Sequence, residues 1–186
     1  MLIDITLKIT KSMLSESTVN ENKALIGHVG THFDVMDEEF PLSYTKRKGI
    51  VFDVSGVTHR DICADDIDIE KVSADMFVAF YSGFIESVGY GESGYFTSHP
   101  QLSDELIDAL VEKGISIIGL DFAGIRRGKE HIPKDRYCAQ HGVFVVENLR
   151  NLKRLLNYSS FYVYTYPMSI GDITGLPCRV VAEVDD

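Results

Sequence analysis

Short apolar runs separated by polar or glycine-containing segments recur along most of the chain. The first ten residues, MLIDITLKIT, alternate apolar and polar positions, which is typical of a strand with one buried face. Continuous apolar runs such as MFVAFY are typical of strands that are buried on both faces. Together these patterns predict strands at 1–10, 49–56, 76–83, 115–121, 143–147, 161–166 and 178–184.

One segment, SDELIDALVEKG at 103–114, has all the features of a helix with defined ends. Ser103 can cap its N-terminus, Asp104 and Glu105 suit the positive end of the helix dipole, and Gly114 can end it. Weaker patterns predict short helices at 64–74, 133–140 and 149–156, and a polar loop at 11–23.

The order of these elements predicts the fold class. Strands alternate with helices in the middle of the chain and pair with each other at its ends, with no internal repeat and no linker. We therefore expect an α/β fold in which a mixed β-sheet is flanked by helices. A single domain over residues 1–186 is expected, since a chain of this length can bury roughly 70% of its unfolded surface.

Charge and cysteine usage narrow the possible environments and partners. The formal net charge is −10, so the average field of the protein repels nucleic acid. The three cysteines have no CxxC spacing, which predicts reduced thiols and a cytoplasmic protein. A signal peptide is not indicated, and no apolar run is long enough to span a membrane.

The stretch HVGTHFD, at 28–34, contains two histidines and an aspartate within seven positions. On a strand, His32 and Asp34 would share one face and could bind one cation. His28 can join them only if the backbone bends, and Gly30 gives the freedom for such a bend. A single helical turn would also bring the two histidines together. Alternatively, both histidines are ordinary residues and Asp34 is a local cap.

This stretch resembles the HxGTHxD signature of the metal-dependent cyclase and kynurenine formamidase family, which includes isatin hydrolases. Further segments of the chain are similar to other family segments, and the last of them contains a Gly-x-Pro-x-Arg turn. They are VAFYSGF at 78–84, GISIIGLD at 114–121, VFVVENLRNL at 143–152 and YPMSIGDITGLPCRVVAEV at 166–184. The resemblance implies a cyclase-like fold of the swivelling β/β/α type over most of the chain.

The resemblance also implies a set of metal ligands. It makes His28, His32 and Asp34 ligands of one divalent cation, zinc or manganese, and lets Asp34 bridge to a second. Glu147, the acid of the Glu-Asn-Leu segment, would bind that second cation. The family uses a histidine twelve residues before this glutamate, and here Asp135 occupies that position. Aspartate still suits a hard cation and favours manganese over zinc.

The family motif usually continues as HxGTHxDxPxH, and its last histidine is assigned to proton transfer. This chain has Met36 and Glu38 at the last two motif positions. The carboxylate of Glu38 can act as a general base if it lies near the bound water, so Glu38 is the predicted catalytic residue. Near Asp135, His131 or His141 could supply a substitute ligand.

These residues predict a metal-dependent hydrolase of a C–N amide bond, acting on an N-formyl arylamine or a cyclic amide. The alternative is a catalytically degenerate member of the same fold that binds a metal or a small molecule without turning it over. A metal with a purely structural role is a third possibility. The resemblance further implies a homodimer or higher homo-oligomer with a small-molecule substrate.

Overall fold

The structure is a computed structural model that describes residues 1–9 and 27–185. Eight strands provide most of the regular structure in this part of the chain. They are β1 (Leu2–Asp4), β2 (His32–Asp34), β3 (Lys46–Asp53), β4 (Phe77–Tyr81), β5 (Ile117–Leu120), β6 (Phe144–Glu147), β7 (Phe161–Pro167) and β8 (Gly175–Glu183). The polar loop predicted at 11–23 lies outside the described residues.

Seven of these strands close into a mixed barrel. Around the barrel the order is β8, β2, β6, β5, β4, β3 and β7, and β7 pairs back with β8. The β3–β4, β4–β5 and β5–β6 pairs are parallel, and the remaining pairs are antiparallel. Strand β1 adds to β8 outside this ring.

The expected α/β arrangement, a mixed sheet flanked by helices, is therefore wrong. The strands β7 and β8 form an antiparallel hairpin that pairs with β3 on one side and with β2 on the other. The sheet thus has no free edge among the barrel strands, and their backbone groups are paired around the ring. Local sequence patterns show which segments are strands but not which strands are neighbours.

Helices are few. The described residues contain α1 (Phe84–Ser87), α2 (Asp104–Glu112) and α3 (His131–Gln140), together with short 3-10 turns. As predicted, Ser103 caps α2, because its hydroxyl accepts a hydrogen bond from the amide of Leu106. The helix predicted at 149–156 shrinks to a 3-10 turn, Leu152–Leu155, since Asn151 has a positive φ of 60° that a helix does not allow.

Two hydrophobic cores lie on opposite faces of the barrel wall. The inner core takes residues from all seven barrel strands, for example Phe33, Phe77 and Val146. The outer core packs the other face of β3 to β6 against α2 and α3. Strands buried on both faces explain the continuous apolar runs in the sequence.

The position of β2 determines where polar chemistry can be placed. Phe33 points into the barrel and is fully buried, so its neighbours His32 and Asp34 point to the outer face. On that face His32 lies directly opposite Glu147 of β6 in the antiparallel register. None of the helices in the described residues is long and apolar enough to cross a membrane.

Candidate metal centre

The chain bends sharply just before β2, and this bend brings two imidazoles together. Gly30 has a φ of +69°, and residues 27–31 form turns and bends rather than a helix. As a result, Nδ1 of His28 lies 3.0 Å from Nε2 of His32. The structure confirms the bend predicted at Gly30 and excludes the helical turn.

The outer nitrogen of each imidazole contacts a polar group outside the pair. Nδ1 of His32 lies 2.8 Å from the carbonyl oxygen of Gly30, and it must donate because a carbonyl only accepts. Nε2 of His28 lies 2.8 Å from the hydroxyl of Thr174. Metal-binding histidines are oriented in this way by outer partners, which leave the inner nitrogen to the cation.

Hydrogen bonds between side chains and the backbone hold the bend, and sequence analysis did not assign them. The side-chain amide of Asn148 donates to the Gly30 carbonyl at 2.9 Å. The hydroxyl of Thr31 donates to the Asn148 carbonyl at 2.9 Å and accepts from the amide of Leu7 at 2.8 Å. Asn148 adopts a positive φ of 60°, which asparagine tolerates better than most residues. Asn148 directly follows Glu147 in the Glu-Asn-Leu segment, and this position in the sequence could have indicated that it supports the site.

Asp34 completes the first group of donors. Its Oδ1 lies 2.9 Å from Nδ1 of His28 and 3.6 Å from Nε2 of His32. Burial alone would raise the pKa of Asp34, but the two imidazoles hold it below its ordinary value. Although the nitrogens are close, neither carboxylate oxygen has a correctly directed hydrogen bond among the described residues. We call His28, His32 and Asp34 the imidazole-rich half of the centre.

A second group of donors meets Asp34 from the other side. Nε2 of His131 lies 2.9 Å from Oδ2 of Asp135, one turn further along α3, and 3.2 Å from Oε1 of Glu147 at the end of β6. One donor atom each from Asp34, His131 and Asp135 falls within 4.8 Å of the others. We call Asp34, His131, Asp135 and Glu147 the carboxylate-rich half.

The carboxylate-rich half concentrates buried negative charge. Burial and the charge of Asp34 raise the pKa values of Asp135 and Glu147. Burial would lower the pKa of His131, yet Asp135 and Glu147 raise it to about 11. The pKa of His32 is likewise raised to about 9, against the effect of burial, by Asp34 and Glu147.

The donor atoms of both halves fit a divalent cation. Both oxygens of Asp34 and Asp135 and one oxygen of Glu147 are buried and have no hydrogen-bond partner among the described residues. Buried charges of this kind need a compensating ion or hydrogen bond. Imidazole nitrogens and carboxylate oxygens are the ligands that zinc, manganese and iron bind.

The structure does not bring every predicted site residue into this cluster. The side chain of Glu38 is exposed and lines a cleft of about 980 Å³ between residues 35–45 and 166–176. Thr174, which contacts His28, lies in the wall of the same cleft. His141 is exposed at the end of α3, where its Nδ1 lies 2.7 Å from the carbonyl of Tyr137.

The chain matches the model of the family described as Putative cyclase over residues 3–126, and it therefore belongs to that family. The match contains the imidazole-rich half and ends before His131, Asp135 and Glu147. No match was found among curated proteins.

Solved structures share the fold over the whole chain. A potential metal-dependent hydrolase with cyclase activity is 22% identical, with a TM-score of 0.77 and coverage of 100% of this chain and 99% of that one. A predicted metal-dependent hydrolase from Bacillus stearothermophilus is 22% identical, with a TM-score of 0.71 and coverage of 98% and 97%. Isatin hydrolase A from Ralstonia solanacearum is 16% identical, with a TM-score of 0.75 and coverage of 100% and 92%.

Proposed function

We propose that the protein is a metal-dependent hydrolase of a C–N amide bond, with an N-formyl arylamine or a cyclic amide as substrate. One observation carries the proposal: two imidazole nitrogens 3.0 Å apart meet a buried aspartate whose oxygens have no hydrogen-bond partner among the described residues. Similar folds in proteins named as metal-dependent hydrolases and as isatin hydrolase support the reaction class.

The residues of the centre have distinct tasks in this reaction. A divalent cation held there would supply hydroxide at neutral pH by lowering the pKa of water from about 15.7 towards about 7, and would polarise the scissile carbonyl. His28, His32 and Asp34 hold this cation, and their outer contacts keep the rings oriented. Zinc and manganese both suit these ligands.

The cleft beside His28 indicates the charge of the substrate. Its described lining residues include four acids and neither lysine nor arginine. The acids are Asp37, Glu38, Glu39 and Asp172. Such a lining repels anions, so a neutral or cationic amide is the favoured substrate.

The predicted general base remains Glu38. Its exposed carboxylate lies on the rim of the cleft whose wall also contains Thr174, the hydroxyl partner of His28. A substrate in the cleft would thus have Glu38 on one side and the imidazole-rich half beyond Thr174. Replacement by glutamine tests this role, because it removes the base and keeps the shape; the expected result is a loss of about 10²-fold or more in kcat with unchanged metal content.

The proposal is tested by hydrolysis assays on protein loaded with zinc or with manganese. We expect turnover of N-formylaniline or a lactam above the rate of chelator-treated protein. His32→Ala should abolish this activity, whereas His141→Ala, which removes an exposed histidine outside the centre, should keep it. Absence of turnover of both substrate classes with either metal would contradict the proposal.

A binding protein without turnover is the second candidate, and the position of Glu38 favours it. Glu38 is exposed and is outside both groups of donor atoms. In addition, Met36 has a φ of +54°, a backbone conformation that proline cannot adopt. The loop therefore departs from the HxGTHxDxPxH pattern in conformation as well as in sequence. Metal-dependent ligand binding without hydrolysis would support this candidate.

The proposal also includes a cytoplasmic location and a homodimer or larger homo-oligomer. All three cysteines are free thiols, as in a reducing compartment. Exposed apolar side chains around the cleft, at Leu42, Met168 and Ile170, offer a surface for a second copy. Light scattering after gel filtration measures the oligomeric state, and a monomer at micromolar concentration would contradict this part.

A further inference from the structure

A second cleft, about 530 Å³ in volume, lies between the start of β3 and residues 71–76 and 159–160. We call it the basic cleft, after the charge of the side chains that line it. Its described lining residues include four basic side chains, Lys46, Arg47, Lys48 and Lys71, and one acid, Asp75. None of these five residues belongs to the candidate metal centre or lines the cleft beside His28.

The charge of the basic cleft is opposite to that of the chain as a whole. Acidic residues outnumber basic ones by 28 to 18 in the sequence, whereas the described lining of this cleft has four basic residues and one acid. Neighbouring charges of the same sign repel each other, and the walls of a cleft focus their field. An anion bound in the basic cleft would compensate this repulsion.

The guanidinium of Arg47 is held rigidly at this cleft. Its Nε donates to the hydroxyl of Ser116 at 2.7 Å, its Nη1 donates to the carbonyl of Ser43 at 2.5 Å, and its Cζ lies 4.4 Å from the centre of the Tyr44 ring. Its Nη2 has no hydrogen bond among the described residues and lies 4.0 Å from Oδ1 of Asp75. A fixed guanidinium with a donor to spare suits an oxyanion such as phosphate.

Two lysines of the basic cleft are available to a ligand. Lys48 is exposed and forms no ion pair with the described residues. The Nζ of Lys71 lies 3.2 Å from Oδ2 of Asp68, but both side chains are more than half exposed. Such a surface pair contributes little to stability, so Lys71 can turn towards an anion at low cost.

The size and the donors of the basic cleft favour a small phosphorylated ligand. Its volume of about 530 Å³ lies within the range of small-molecule sites, which is roughly 300–1,000 Å³. The hydroxyls of Ser159 and Ser160 also line it and can donate to phosphate oxygens. Long polyanions such as nucleic acid are repelled by the net charge of −10, whereas a small anion meets only the local field.

We propose that the basic cleft binds a small molecule that carries a phosphate or pyrophosphate group, with Arg47, Lys48 and Lys71 as its charged partners. This site lies apart from the metal-dependent reaction proposed above and gives the protein a second ligand. The phosphate oxygens accept hydrogen bonds from the guanidinium and the ammonium groups, which are stronger than bonds between neutral groups.

The site is tested by calorimetric titration with inorganic pyrophosphate. Chelator-treated and zinc-loaded protein are both titrated, because pyrophosphate can also bind a metal ion. We expect one equivalent to bind to each form, with an affinity that falls as salt is added, since salt screens exposed charges. In amide NMR spectra, the largest shifts should fall at residues 46–48, 71–76 and 159–160.

The substitution Lys48→Glu replaces an attraction with a repulsion and should weaken pyrophosphate binding about tenfold or more. Lys48 is preferred to Arg47 for this test, because Arg47 also holds Ser43 and Ser116. Lys129→Glu is the matched control, since it makes the same change in net charge at an exposed lysine outside both clefts. It should bind like the unchanged protein, and the melting temperature shows whether each variant is folded.

Three results would overturn the inference: no binding at millimolar pyrophosphate, binding to the zinc-loaded form alone, or equal affinities in folded Lys48→Glu and Lys129→Glu. AMP should also bind, with the same dependence on Lys48, and its exclusion would contradict a phosphorylated organic ligand. Failure of the proposed hydrolysis gives a different result, because the chelator-treated protein would still bind pyrophosphate.

Discussion

The two halves of the candidate metal centre are built in different ways. The imidazole-rich half comes from seven consecutive residues, 28–34, and its geometry is set by one bend and one short strand. The carboxylate-rich half joins α3 to the end of β6 and becomes complete only when Asp34 of β2 lies beside them. The first half is therefore a local structure, and the second depends on the packing of a helix against the barrel.

This difference predicts different responses to damage. A local site fails when its own backbone or its outer contacts change. A site assembled from distant segments fails when those segments shift by an ångström or less, because the distances from a cation to its ligands tolerate little variation. Changes can therefore be chosen that act on one half, on the other, or on Asp34, the residue they share.

The largest effect is expected at the shared ligand. Asp34→Asn keeps the shape of the side chain and removes its charge, so both halves should lose affinity for their cations. Hydrolysis should fall roughly 10³-fold or more, since a metal supplies several kcal/mol to such reactions. Elemental analysis together with an assay on the formyl substrate measures both losses. If Asp34→Asn kept one metal at full occupancy, Asp34 would not be shared.

A change in pH should act on both halves. The folded-state pKa values are about 9 for His32 and about 11 for His131, both above the ordinary value of 6.5. In metal-free protein, these protonated rings stabilise the fold fully below pH 6.5, and that contribution is lost as the pH rises through about 9 and then about 11.

Cation binding must displace these same protons, so its pH dependence runs in the opposite direction. The affinity of each half should rise about tenfold per pH unit, or about 10²-fold between about pH 6 and about pH 8. Competition with a chelator at several pH values measures this slope. A flat profile would show that the rings are already neutral without metal.

The substitution Gly30→Ala is expected to act on the imidazole-rich half alone. A Cβ atom at residue 30 would lie 2.5 Å from the side chain of Ile9, and the positive φ adds strain. Gly30→Ala should therefore destabilise the protein by about 2–3 kcal/mol and weaken binding in this half. Denaturant unfolding measures the first effect, and zinc titration measures the second.

Gly91→Ala is the matched control for this experiment. Gly91 also has a positive φ, of 86°, but nothing lies within 4 Å of the added Cβ atom. Gly91→Ala should lower the free energy of unfolding by about 1 kcal/mol through backbone strain alone and leave zinc affinity unchanged. Equal losses in the two variants would mean that the contact with Ile9 has no role in the bend.

The smallest effect is expected at Thr174, whose hydroxyl contacts Nε2 of His28 at 2.8 Å. Thr174→Val should reduce zinc affinity about tenfold, the lower end of the range for outer partners of metal ligands. The carboxylate-rich half, which Thr174 does not contact, should be unaffected. Thr45→Val is a suitable control, because Thr45 lines the same cleft and its hydroxyl donates to the carbonyl of Leu42 instead.

The sequence was informative about the local half and less so about the other. Spacing and the glycine indicated that His28, His32 and Asp34 could converge, because the geometry depends on a few neighbouring residues, and the family resemblance then made them ligands. Asp135 and Glu147 were assigned from family resemblance. His131 was left as one of two substitutes, because only the packing of α3 shows that it faces Glu147 while His141 does not.

The fold shows the same limit. The strand positions were largely predicted, because alternating and continuous apolar runs are local signals. Closure of the barrel was not predicted, because it depends on β7 pairing with both β3 and β8. The short helix predicted at 64–74 became two 3-10 turns, Ala64–Asp66 and Ile69–Lys71. In the first of them, the carboxylate of Asp66 accepts from the amide of Cys63 and closes the turn early.

The hairpin of β7 and β8 sets an order of events during synthesis. His32 gains its partner on β8, Pro177, only after the segment that forms β7 and β8 has been synthesised, and Thr174 reaches His28 at the same stage. A nascent chain that stops short of this hairpin has all its histidine and acid ligands but lacks the hydroxyl that orients the His28 ring. The proposed cation would therefore be bound tightly only after this hairpin has formed.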